Sequence, residues 1–393
     1  MLFDRFNPIR APRWLRAGML VFALGGCGGG VDSGGTGGAA TYANGPITGS
    51  GSIIVNGVRF DDSAASVSDD DGGRTKDDLK LGMVVEVRGS AISTDTAGDK
   101  NSTASSIAFH SELVGRIDSL DAAVPHASMV VFGQVVEITA TTVFDVAGGP
   151  AALAPGNVVE VYALYDSTAG SYTATRVERK SSLPSEFRLR GKISSLDTLA
   201  KAFNIGGERI SYAALTAPAG MANGSIVSVR VNSSGTSGST WAATRLGNGA
   251  RAPDDNTHAR VEGLISVFTS ATNFSVGDVQ VNATGITPSG GTPALGVRVE
   301  VEGTVSAGVL VASSVSVEAD SGKPEQRFVG PISGLNTGAK TFIVKGQTIR
   351  YFSAPTTEYQ AGTEASLANG ANVDVRAVLV NGTDLNATRI SFK

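Results

Sequence analysis

One six-residue pattern, G-x-x-V-x-V, returns five times: GMVVEV at Gly82, GNVVEV at Gly156, GSIVSV at Gly224, GVRVEV at Gly296 and GANVDV at Gly370. Successive glycines lie 74, 68, 72 and 74 residues apart. Two further markers keep a fixed order around it. A G-x-I triplet precedes each copy, as GPI at Gly45, GRI at Gly115, GKI at Gly191, GLI at Gly263 and GPI at Gly330. A run of the form A-[TS]-[RS]-[VIL] follows, as ASSI at Ala104, ATRV at Ala174, ATRL at Ala243, ASSV at Ala312 and ATRI at Ala387. Three markers repeated in one order describe a single supersecondary unit used five times, which rules out one undivided core.

Between the first two markers lies a recurring hairpin signature. IIVNGVRF from Ile53, MVVFGQVV from Met129, FNIGGERI from Phe203, FSVGDVQV from Phe274 and FIVKGQTI from Phe342 each flank a glycine turn with two β-prone runs. In GVRVEVEG, alternation puts Val297, Val299 and Val301 on one face and Arg298, Glu300 and Glu302 on the other, which is assigned to solvent. Each unit therefore holds five or six short strands in about 70 residues, too long for a solenoid coil and short for an immunoglobulin-type sandwich. A small Greek-key barrel of the OB type fits. Composition agrees: Gly is 50 of 393 residues and only 17% are charged, the balance of a turn-rich all-β chain. The expected fold class is all-β, with five tandem small OB-like Greek-key barrels in a string. They occupy 45–112, 113–186, 187–257, 258–325 and 326–393, after a signal peptide (1–26) and a Gly-rich tether (27–44).

The N-terminal part carries a different message. Arg5, Arg10, Arg13 and Arg16 precede the uncharged run AGMLVFAL, which is far too short to cross a bilayer. A basic region, a short apolar region and small residues form a secretory signal. The end of that run, Leu24, Gly25, Gly26 and Cys27, resembles the lipobox of bacterial lipoproteins, and Cys27 is the only cysteine of the chain. The resemblance implies cleavage before Cys27, acylation of its thiol and amine, and a lipid anchor; several acyl chains give stable attachment where one does not. Gly28 at the following position implies sorting to the outer membrane, with the barrels at the periplasmic face or the cell surface. The mature chain then carries 28 basic against 35 acidic residues and no disulfide, so its cores must supply its stability.

The ordered set GRIDSLD, GKISSLD, FIVKGQTI, GNVVEV and ATRV resembles an uncharacterised repeat family of proteobacterial lipoproteins, a domain of unknown function. The resemblance covers 45–393. Copies one and four depart most, reading GPITGSG and GLISVFT. The shared residues are scaffold residues, and the resemblance brings no active site with it.

The remaining chemistry is sparse. The insertion from Asp61 to Asp78 holds seven aspartates, of which Asp69, Asp70, Asp71, Asp77 and Asp78 are the candidate calcium ligands, although their spacing is not that of an EF-hand. The competing reading is a solvated acidic loop. His110, His126 and His258 have no zinc-pair spacing. No nucleophile elbow or phosphate loop is present, and Glu300 with Glu302 reads as surface decoration. A negative mature charge and few aromatics argue against nucleic acid. Trp241, Tyr162, Tyr165 and Tyr172 are the candidate aromatic platform for a glycan. The sequence thus predicts no enzyme, no cofactor and no metal. It predicts an outer-membrane-anchored envelope scaffold, spacer or adhesion-like binding module, with the membrane and an envelope protein or glycan as partners. An envelope polysaccharide- or oligosaccharide-binding protein is the alternative.

Overall fold

The computed structural model describes residues 40–121, 127–146, 149–235, 238–318 and 325–393. The predicted signal segment, Leu24, Gly25, Gly26, Cys27, most of the predicted tether and His126 lie outside the described residues. Gly37–Lys393 forms one compact unit.

Barrel 4 shows the plan most plainly. Its strands are His258–Ser270, Asn273–Val276, Val279–Asn282, Arg298–Ser306 and Val309–Val317. The first pairs antiparallel with the second, the second with the third, and the fourth with both the fifth and the first. The third runs parallel to the fifth. The order 1-2-3-5-4 therefore closes on strand 1, the Greek-key closure of the OB type that leaves few free edges. The same five pairings close barrel 1, barrel 2, barrel 3 and barrel 5.

The three sequence markers meet in space, and the contact explains each. The glycine of G-x-x-V-x-V has a left-handed backbone in every copy, with φ of 81° at Gly82, 87° at Gly156, 92° at Gly224, 76° at Gly296 and 89° at Gly370. Only glycine takes this conformation without penalty. Its N–H donates to the carbonyl of the isoleucine of G-x-I: Gly82 to Ile47, Gly156 to Ile117, Gly224 to Ile193, Gly296 to Ile265 and Gly370 to Ile332, all at 2.8–2.9 Å. Each isoleucine N–H returns a bond of 2.8–2.9 Å to the carbonyl of the residue after that glycine. This two-bond clamp fastens the start of strand 4 to the middle of strand 1.

The third marker is a β-bulge. The ladder between strands 4 and 5 skips one residue at Ser105, Thr175, Thr244, Ser313 and Thr388, the second position of A-[TS]-[RS]. Four of these hydroxyls donate to the opposing carbonyl: Ser105 to Arg88, Thr175 to Tyr162, Ser313 to Glu302 and Thr388 to Arg376, at 3.0–3.1 Å. The preceding alanine is buried in every copy.

The barrels do not form a string. Thr41–Asn44 of barrel 1 pairs parallel with His258–Val261 of barrel 4, and Gly49–Ser50 pairs parallel with Arg327–Phe328 of barrel 5. Arg188–Leu189 of barrel 3 pairs with Leu113–Val114 of barrel 2. Phe144 N–H of barrel 2 donates to Gly382 O of barrel 5 at 2.7 Å. These pairings correct the linear expectation. They also shorten the tether, because Tyr42 and Ala43, assigned to it, are buried.

The cores share residues accordingly. Tyr42 of barrel 1 enters the core of barrel 4, Tyr162 of barrel 2 enters that of barrel 1, and Leu81 and Val143 enter that of barrel 5. Barrels 2 and 3 have one continuous core. Phe132 joins them from the tip of the barrel 2 hairpin: at φ 49° its ring lies 4.8 Å from Trp241 and 5.8 Å from Phe187. A left-handed phenylalanine is disfavoured by about 1–2 kcal/mol, which the two aromatic contacts and its burial offset.

Candidate functional site: a charged cleft among barrels 1, 2 and 3

The acidic insertion folds into a small hairpin, Ser66–Asp69 and Gly72–Arg74, followed by a 3-10 turn at Lys76–Asp78. Asp69 makes its turn: Oδ1 accepts from Asp71 N at 2.8 Å and Gly72 N at 3.1 Å, and Oδ2 accepts from Arg74 Nε at 2.8 Å. The turn aims Asp70 and Asp71 at barrel 3. Asp70 Oδ1 meets His110 Nδ1 at 2.5 Å, and its Oδ2 lies 3.3 Å from Arg188 Nη1. Asp71 meets Arg230 at 2.6 Å and Arg188 at 3.2 Å. Asp78 accepts from Thr75 N and Oγ1, both at 2.9 Å, and Asp77 is exposed.

Burial pushes the Asp70 carboxyl up, but the His110 hydrogen bond and the charges of His110, Arg188 and Arg251 outweigh it and hold the group at about 2. Burial also raises Asp71, and the Arg230 bond with the Arg230, Arg188 and Arg74 charges again brings it below its ordinary value. The five candidate calcium ligands therefore do not converge: two face arginines of another barrel, two cap turns and one faces water. Among the described residues no three His, Cys, Asp or Glu are placed to hold a metal ion. Nor is the loop merely solvated; it is a clasp between barrels 1 and 3.

Beside the clasp lies a cleft of about 670 Å³. Arg188, Arg230 and Arg245 of barrel 3 form one wall. Asp145, Glu160 and Glu178 of barrel 2, with Lys180 among them, form another.

Other joints use the same chemistry. Buried Glu112 accepts from Arg190 at 2.9 Å and Arg251 at 2.6 Å, and Arg190 also bonds Asp278 of barrel 4 and Gly249 O. Burial raises the Glu112 carboxyl, and the two arginines more than reverse it. Arg260 bonds both Glu300 and Glu302, while Lys100 of barrel 1 reaches Glu302 at 3.3 Å. His258 lies 3.3 Å from the same Glu302. Arg327 of barrel 5 bridges Asp374 at 2.6 Å and Asp99 of barrel 1 at 2.7 Å. Glu302 thus meets Lys100 of barrel 1 and Glu300 is held by Arg260 of its own barrel, so neither is surface decoration in open water.

The aromatic candidates also move inward. Tyr172 is 0% exposed, Tyr162 2%, Trp241 4% and Tyr165 7%, so they form no platform for a sugar. Tyr172 donates to Arg190 O, and Trp241 Nε1 donates to Glu208 at 2.6 Å. The bridging arginines were missed by sequence reasoning, yet they carry a signal. Arg188, Arg260 and Arg327 all stand three residues before the G-x-I glycine, where barrels 1 and 2 have Tyr42 and Glu112.

The repeats match the family model described as a domain of unknown function, DUF5666, at residues 44–96, 114–178, 262–316 and 329–391. These matches span more than half of the chain. The chain belongs to the DUF5666 family. Barrel 3 lies outside the matched residues, yet it closes by the same five DUF5666-type pairings and carries the same clamp at Gly224. It is also the barrel whose Arg188, Arg190, Arg230 and Arg251 grip its neighbours. A search of curated proteins returns no match.

Proposed function

We propose that this chain is a non-enzymatic lipoprotein, anchored in the outer membrane through acylated Cys27, whose barrels act as one preassembled envelope scaffold or adhesion-like binding block. The observation that supports this best is where the reactive side chains go. Carboxylates, guanidiniums and buried aromatics of the described barrels engage one another across barrel joints, so the chemistry of the sequence serves assembly. A block rather than a flexible string suits a module that must hold a fixed surface away from a membrane. The sugar-binding alternative loses its support with the burial of its four aromatics.

The test combines processing and topology. A globomycin-type block of the lipoprotein peptidase should accumulate uncleaved precursor, and Cys27→Ser should move the chain out of the outer-membrane fraction. Normal processing under the block, or unchanged fractionation of Cys27→Ser, would refute the anchor. Turnover of an envelope substrate abolished by one carboxylate or serine substitution would refute the non-enzymatic reading.

A further inference from the structure

Four guanidiniums converge on the Asp71 carboxylate. Its Oδ1 lies 2.6 Å from Arg230 Nη1 and 3.9 Å from Arg245 Nη1; its Oδ2 lies 3.2 Å from Arg188 Nη2 and 4.0 Å from Arg74 Nη2. Arg74 also meets Asp69 at 2.7 Å, Arg188 also reaches Asp70 at 3.3 Å and Ser111 at 2.9 Å, and Arg230 lies 3.6 Å from Glu186, yet these oxygens leave donors over. Arg230 Nη2 is buried without a hydrogen-bond partner among the described residues. The Arg245 side chain is 64% exposed, with Asp71 at 3.9 Å as its ion-pair contact. The carboxylate itself is 38% exposed and rides on a hairpin whose second strand, Gly72–Arg74, is exposed throughout. Guanidiniums around a shared oxyanion are the arrangement that phosphate takes, and phosphate brings one more oxygen than a carboxylate. Asp145, Glu160 and Glu178, which also line the cleft, pair with Arg176 and Lys180, two cations for three carboxylates. The remaining negative charge, with the Asp145 side chain 64% exposed, disfavours a bare polyanion and can accept an ammonium group.

We propose that Arg188, Arg230 and Arg245 form a binding site for a phosphate ester carrying an amine, with Asp71 as a tethered occupant that such a ligand displaces. The phosphate takes the place of the Asp71 carboxylate on barrel 3, and the amine faces the acidic wall of barrel 2. This goes beyond the scaffold role and does not depend on the lipid anchor.

Calorimetry on the full chain in detergent, with phosphoethanolamine, inorganic phosphate and ethanolamine as probes, tests it. Asp71→Asn should bind phosphoethanolamine at least tenfold tighter than the wild type. Adding Arg230→Gln should abolish that gain. Folding is checked by circular dichroism; should Asp71→Asn unfold, Asp71→Ser carries the same expectation. No binding by a folded Asp71 variant, or binding that survives Arg230→Gln, overturns the site. Inorganic phosphate binding as tightly as phosphoethanolamine overturns the role of the acidic wall. Flotation of the Asp71→Asn, Cys27→Ser double variant with phosphatidylethanolamine vesicles, absent with phosphatidylcholine vesicles, assigns the ligand to a lipid headgroup. Heat with the soluble ester and no flotation assigns it to a free phosphoester.

Discussion

The clamp glycines allow backbone strain to be separated from barrel packing by three alanine substitutions. At Gly156, φ is 87° and an added Cβ would meet nothing within 4 Å. Gly156→Ala therefore isolates the left-handed penalty of about 1–2 kcal/mol, reduced by the 0.4–1 kcal/mol that a less flexible unfolded chain returns. The net expectation is a loss of about 1 kcal/mol. At Gly82, φ is 81° and the Cβ would stand 2.5 Å from Thr175 O, 3.0 Å from Val143 Cγ2 and 3.2 Å from Arg176 Cβ, all atoms of barrel 2. The same strain plus overpacking of about 1–3 kcal/mol gives a total loss of about 2–4 kcal/mol. Gly247 supplies the control, since its φ lies outside the left-handed region and its Cβ would also meet nothing within 4 Å. Gly247→Ala should gain about 0.4–1 kcal/mol. Urea denaturation followed by far-ultraviolet circular dichroism, with the midpoint shift read at constant m, measures all three. A stabilising Gly156→Ala would refute the clamp argument. A Gly82→Ala no worse than Gly156→Ala would refute the packing of barrel 1 on barrel 2.

Three other perturbations probe the assembly. Small-angle scattering of residues 40–393 should give a radius of gyration of about 20 Å, whereas a linear string of five such barrels gives on the order of 30 Å; the larger value would contradict the lateral pairings. Glu112→Ala should cost about 3–5 kcal/mol in urea unfolding, because at a buried joint it leaves Arg190 with Asp278 as its remaining carboxylate and takes from Arg251 its 2.6 Å partner; a loss under 1 kcal/mol would show that the joint is hydrated. Glu300 has its carboxyl raised to about 7, first by burial and then by the Glu262 and Glu318 charges, against the pull of Arg260. The folded state therefore holds this proton where the unfolded chain has released it, so the contribution is full below the unfolded value of about 4.3 and is lost as pH rises through 7. Glu300→Gln should accordingly flatten the fall in melting temperature between pH 5 and 8, and an unchanged pH profile would refute the assignment.

The barrel itself was legible because its markers are local and backbone-driven. A glycine that must take a left-handed backbone, a serine or threonine that must satisfy a bulge, and valines alternating with period two each leave a trace within six residues. Five copies made those traces unmistakable. The joints left fainter marks. The arginine three residues before the G-x-I glycine appears in barrels 3, 4 and 5, but Arg260 pairs within its own barrel, whereas Arg188 reaches Asp70 and Asp71 and Arg327 reaches Asp99, all in barrel 1. No periodicity reports a partner more than 100 residues away. For the same reason the acidic insertion read as a cation site or a solvated loop when it is a clasp, and the tyrosines read as a platform when they are core.

The sequence alone determined the unit, its strand alternation and its number, because these follow from steric limits on φ and from hydrogen bonds each copy makes within itself. Which barrel touches which was decided only in three dimensions. That arrangement depends on opening-strand edges and opposite charges from distant segments becoming mutual neighbours, and an edge or a charge carries no record of its partner until the chain has folded.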